Sequence, residues 1–158
     1  MGFTTAIATC FRKYFTISGR TGRSEYWWFV LFLVLLGIGA TALDALFFGL
    51  GTLDSDFGGP IAAVTNLATF VPSITATVRR LHDTGKPGYA VFWPFAVLLA
   101  AYLCIAAIPG TIGLIVVGLT LIGGLGLYLW WLVKPSDPGA NRYGPKPTDP
   151  HNVEEVFQ

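Results

Sequence analysis

The chain alternates long apolar runs with short polar segments. Four runs stand out, Trp27 to Phe48, Ile61 to Val78, Tyr89 to Ile108 and Thr111 to Val133. As helices they would extend roughly 27 to 35 Å, against a hydrocarbon core of about 30 Å. Each is predicted to be a transmembrane helix. Ahead of them, Phe3, Ile7, Phe11, Tyr14 and Phe15 share one face of a helical wheel, opposite Thr5, Thr9, Arg12 and Lys13. This pattern predicts a short amphipathic helix at the inner membrane surface, either lying in the interface or packed as an arm on the bundle. The expected fold class is an all-α membrane protein. It comprises a four-transmembrane-helix bundle forming a single domain over residues 1–147, a short N-terminal amphipathic interfacial helix, and a mobile cytoplasmic tail over residues 148–158.

The second run is the most polar of the four, with Thr65, Asn66, Thr69, Ser73, Thr75 and Thr77 along it and Pro72 near its middle. Charge placement identifies it as a span more firmly than hydropathy does. All ten basic residues fall in three segments, Arg12 to Arg23, Arg79 to Lys86 and Lys134 to Lys146. If all four runs cross, these segments share one side, which the positive-inside rule makes cytoplasmic, together with both termini. Without the second crossing, Arg79, Arg80 and Lys86 would lie on a short outer loop, where such charges are disfavoured. Under the same topology all five Trp residues lie near the cytoplasmic ends of their helices, as interfacial aromatics do.

Composition agrees with lipid as the solvent: 53% of residues are hydrophobic and 12% charged, and the mean hydropathy is +0.61. The formal net charge of +1 hides a transverse asymmetry, +3 over residues 1–26 against −3 over residues 44–59. No cleavable signal peptide is expected, because no apolar stretch followed by a small-residue cleavage site precedes the first span. Cys10 and Cys104 fall on opposite sides and are expected to be free thiols. Asp44, the only carboxylate within a predicted span, lies about 26 Å beyond Trp27, which makes it an expected water-facing end residue at the outer interface. A proton-coupled exporter would need a carboxylate at the midplane instead.

Chemistry is concentrated in three cytoplasmic strings: residues 18–27 (SGRTGRSEYW), 78–88 (VRRLHDTGKPG) and 141–147 (NRYGPKP). Their order and content resemble the bacterial membrane family catalogued as domain of unknown function 805, with GRxxRxEYW before the first span, RRLHDxGxxG after the second and NRYGxxP after the last. The resemblance runs from about Tyr14 to Pro147. It implies a small protein of the bacterial inner (plasma) membrane and supplies no catalytic residues. Tyr89 stands where the family usually shows Trp, which retains an interfacial aromatic.

Two readings of the basic strings stay open. Arg20, Arg23, Arg79, Arg80, Lys86 and Arg142 would form a collar for anionic lipid headgroups or for a membrane-protein partner, a second copy of the chain included. Alternatively, Glu25 and Asp83 would hold particular arginines and tie helix ends together. Glu25, His82 and Asp83 are the acid, base or metal-binding groups that a lipid-modifying enzyme would use. Neither a metal site nor a cofactor is expected, because the ligand count is too low. Asn66, Thr69, Ser73 and Thr77 recur on one face of the second span, suited to interhelical hydrogen bonds or, in a small transporter, to a polar path. Nucleic-acid binding is not expected, since no extended basic surface or known module is present. The C-terminal tail reads as a solvated terminus, with a partner-binding peptide as the alternative.

Overall fold

The computed structural model describes residues 2–55 and 58–147. The C-terminal tail expected over residues 148–158 lies outside the described residues, as does Asp56. Among the described residues five α-helices follow in order: α1 (Phe3–Arg12), α2 (Arg23–Phe48), α3 (Pro60–Asp83), α4 (Trp93–Ala107) and α5 (Thr111–Val133). Four segments of them, α2, α3, Gly88–Ala107 and α5, are long and apolar enough to cross a membrane. Short 3-10 turns occupy Leu50–Asp54 and Gly88–Phe92, the second leading directly into α4. The chain groups into two compact units: one takes in Ser24–Thr77 with the N-terminal residues to Ile17, the other Ser18–Arg23 with Val78–Lys146.

Two helices begin or end further out than hydropathy predicts. The first span starts at Arg23 and the second continues to Asp83. Arg79, Arg80, His82 and Asp83 therefore stand on the last turns of α3 and not on a loop. A hydropathy window stops at Val78 because the next residues are charged, yet their backbone still continues the helix.

In the first unit α1 packs on the start of α2. Phe3 meets Trp28 edge-on at 5.8 Å, and Phe11 meets both Phe29 and Phe32 edge-on at 5.9 Å. The buried stripe is Ala6, Thr9 and Cys10, whose small side chains let the backbone approach, while Phe15 is 80% exposed. Of the residues on the predicted apolar face, Phe3, Ile7 and Tyr14 are half-buried and Phe11 and Phe15 are exposed.

Just past α1, the Tyr14 hydroxyl donates to the Ala68 carbonyl at 2.7 Å. This contact answers a defect in α3. Pro72 has no N–H, so it cannot close the i→i−4 bond to Ala68, and in an apolar medium an unpaired carbonyl costs several kcal/mol. Thr75 adds a second tie, its hydroxyl donating to the Tyr14 carbonyl at 3.1 Å and to the Pro72 carbonyl at 3.2 Å.

Asp44 is fully buried. Its carboxylate accepts the backbone N–H groups of Ile61 at 2.9 Å and Ala62 at 2.7 Å, capping the first turn of α3 from α2. The expectation of a water-facing residue is corrected: the free N–H groups and positive dipole end of α3 solvate this carboxylate in place of water. Gly59 makes the approach possible, because a Cβ there would overlap the Asp44 carboxyl group.

In the second unit α4 and α5 pack along each other after a three-residue link. The Trp93 indole N–H donates to the Gly124 carbonyl at 2.8 Å. Trp93, near the start of α4, also meets Trp131, near the end of α5, at 5.3 Å.

The Tyr14–Pro72 relation yields a double-mutant test. Tyr14→Phe should destabilise the protein by about 1–3 kcal/mol by stranding the Ala68 carbonyl. In a Pro72→Ala background, where the alanine backbone supplies the missing N–H, the same change should cost much less. Thermal unfolding in detergent measures both, and equal losses in the two backgrounds would contradict the assignment.

Candidate functional site

The three predicted strings fall mainly in the second unit, where Arg20 of the first and Arg80 of the second converge on Asp83. Asp83 is fully buried. One carboxylate oxygen accepts Arg20 Nε at 3.0 Å, and the other accepts a guanidinium nitrogen of Arg80 and the Ser136 hydroxyl. Its backbone carbonyl accepts the Asp137 N–H at 3.1 Å. A single side chain thus joins the end of α3 to residues 18–23 and to the segment after α5.

Arg20 is saturated. Besides the Asp83 carboxylate, its guanidinium donates to the carbonyls of Asp137 at 2.8 Å, Gly139 at 2.7 Å, Gly144 at 3.3 Å and Asp83 at 3.5 Å. All five guanidinium donors have an acceptor, so the charge is buried without stranding a proton. Arg80 is likewise turned inward, donating Nε to the Leu132 carbonyl at 2.9 Å and another nitrogen to the Lys134 carbonyl. These carbonyls belong to the C-terminal end of α5, where cations are favoured. Arg79 is fully buried. Its Nε donates to the Thr21 hydroxyl at 3.1 Å, while the Thr21 N–H returns a bond to the Arg79 carbonyl at 3.1 Å.

The segment after α5 folds over this centre through the Asn141-Arg-Tyr-Gly string. Asn141 donates its side-chain amide to the His82 carbonyl at 3.0 Å and accepts the Tyr143 N–H at 2.9 Å, a local turn that places the Tyr143 ring. That ring stacks on His82 with centroids 3.8 Å apart and planes within 5°. His82 Nδ1 lies 3.3 Å from the Gly19 carbonyl, an acceptor, which puts the ring proton on Nδ1. Gly85 turns the chain out of α3 with φ +73°, and a Cβ there would come within 2.9 Å of the Asp137 carboxylate.

The other basic residues of this unit are placed differently. Lys86 rests over the Trp131 ring at 4.8 Å, and Arg142 over Tyr143 at 4.7 Å. Arg23, Arg142 and Lys146 are exposed and Lys86 is half-buried. Among the described residues none of these four lies within ion-pair distance of a carboxylate. Lys134 differs, sitting 3.6 Å from Asp137.

The remaining predicted residues belong to the first unit. Glu25 is buried near the start of α2. On α3, Thr69 donates to the Thr65 carbonyl at 2.8 Å, Ser73 to Phe70 at 2.7 Å and Thr77 to Ser73 at 2.8 Å. Three of the four predicted polar-face residues therefore return their hydroxyls to their own helix. Sequence reading missed Thr21, Ser136 and Asp137 as parts of the centre. The available signal was their position, Thr21 inside the first string and the other two in a Pro-Ser-Asp-Pro-Gly turn just upstream of the third.

The sequence profile described as a protein of unknown function (DUF805) matches residues 14–145. The chain is similar to inner membrane protein YhaI of Escherichia coli K12, 30% identical over 105 residues that cover 63% of this chain and 83% of YhaI. It is also similar to inner membrane protein YhaH of the same strain, 26% identical over 142 residues covering 86% of this chain and 90% of YhaH. No solved structure matches.

Removing one partner of a buried ion pair costs about 3–5 kcal/mol, while exposed charges change stability by about 0.5 kcal/mol or less. Asp83→Asn should thus lower stability by that larger amount and Arg142→Gln should leave it nearly unchanged. Unfolding curves for the two variants in one detergent decide it, and equal stabilities would show that Asp83 is not the tie described.

Proposed function

The chain belongs to the DUF805 family, and from that premise we propose that it is a non-enzymatic inner-membrane module that holds anionic lipid headgroups at the cytoplasmic face. The observation that carries this reading is the charge balance of the second unit. Residues 18–23 and 78–146 contain eight basic residues and two acidic ones, a surplus of six. Asp83 and Asp137 are both engaged internally. The surplus needs anions from outside the unit, and a lipid headgroup layer supplies them at the depth where Lys86 and Trp131 sit.

Arg20 and Arg80 hold the platform, and Arg23, Lys86, Arg142 and Lys146 make the contact. Lys86, half-buried, and Arg142, exposed, are each steadied by a ring, an arrangement suited to point contacts with phosphate. The cytoplasmic assignment rests on the positive-inside rule applied to the same residues. The inner membrane is the location named for the relatives YhaI and YhaH. Against an enzyme stands the condition of Asp83, whose buried carboxylate is held by three donors, and His82 is stacked on Tyr143 with Nδ1 on the Gly19 carbonyl.

At about 1 kcal/mol per basic residue near an anionic surface, the four contacts together contribute at most about 4 kcal/mol. Replacing Arg23, Lys86, Arg142 and Lys146 by Gln should reduce the phosphatidylglycerol retained on the detergent-purified protein by tenfold or more, with unfolding temperature unchanged. Native mass spectrometry reads the retained lipid. Equal retention by the variant rejects the proposal, and loss of a co-purifying protein with lipid unchanged assigns the surface to a protein partner.

A further inference from the structure

One residue of the α3 polar stripe is left over once its neighbours are accounted for. Thr69, Ser73 and Thr77 bond to carbonyls of their own helix, and a hydroxyl so bonded needs nothing further in lipid. Asn66 does not follow them. Its side chain is exposed and makes no hydrogen bond with any described residue. It stands six residues inside α3 from Pro60, about 9 Å along the helix, after an apolar turn of Ile61, Ala62, Ala63 and Val64. A short carboxamide at that depth cannot reach water as a lysine or arginine would, and hydrocarbon leaves its donors and acceptor unmet.

We propose that Asn66 is the centre of a homodimer contact in which α3 pairs with α3 of a second copy of the chain. The argument for a second copy is complementarity. A carboxamide carries both donor and acceptor, so two of them facing each other across a two-fold axis satisfy one another, as an isologous interface requires. An acyl chain offers neither group, and a purely anionic or cationic partner answers only half of the amide. The flanking surface fits a helix contact. Ala63, one turn earlier, is small and exposed, which permits close approach, while Leu67 (76% exposed) and Phe70 (60% exposed) supply apolar area on the same side. This contact is independent of the headgroup surface, since it uses residues of the first unit only.

The test is dimer affinity in vesicles of neutral phosphatidylcholine, read by energy transfer between labelled copies as the lipid-to-protein ratio is varied. The wild-type chain should dimerise, Asn66→Leu should weaken the dimer by about tenfold, and Asn66→Gln, which keeps the amide, should stay near wild type. Asn66→Cys, made in a chain with Cys104→Ala, should in addition form a cross-linked dimer with a short bifunctional thiol reagent. A wild-type chain that stays monomeric at every ratio overturns the proposal. So does a leucine variant that dimerises as well as wild type, or a glutamine variant as weak as leucine.

Discussion

The buried carboxylate of Asp83 is the constraint from which most of the second unit follows. Two guanidinium groups cannot be withdrawn from water without a counter-charge and a full set of acceptors. Asp83 supplies the counter-charge to Arg20 and Arg80, and carbonyls from Leu132, Lys134, Asp137, Gly139 and Gly144 supply the rest. Meeting those acceptors fixes where residues 18–23 and 132–144 run. The folded segment after α5 is in this sense a consequence of burying Arg20.

The cost of leaving backbone polar groups unmet where water is absent explains the unusual contacts of the first unit. Asp44 answers the free N–H groups of α3, and Tyr14 answers the carbonyl that Pro72 strands. Each is a side chain from another part of the chain repairing a defect in one helix. Proline is tolerated within α3 because a tyrosine elsewhere completes it. The Asn66 carboxamide finds no such partner among the described residues of one copy, which is why a second copy enters the account.

Much of this was legible in the sequence, and the part that was not has a physical cause. The four spans follow from apolar length, and the basic segments identify α3 despite its threonines. The pairing of Asp83 with arginines was one of two readings of the motifs, and the geometry realises it for Arg20 and Arg80. What sequence could not give is which arginines turn inward, because Arg20 and Arg23 are alike in composition and neighbourhood, and yet one is buried and the other exposed. That difference is set by backbone carbonyls over a hundred residues away, which leave no residue-type signal. The caps by Asp44 and Tyr14 escaped for a similar reason: their partners are main-chain atoms.

The division of labour among the basic residues links the fold to the proposed surface. Inward arginines organise the unit, while Lys86 and Arg142 rest on aromatic rings and Arg23 and Lys146 are exposed. The most direct test of that division is amide hydrogen exchange across residues 132–146 of the wild-type protein in lipid nanodiscs. If Asp83 and Arg20 hold this segment as described, the amides of Asp137, Asn141 and Gly144, each bonded within the fold, should exchange far more slowly than a free tail. Exchange of all three within seconds would contradict the account.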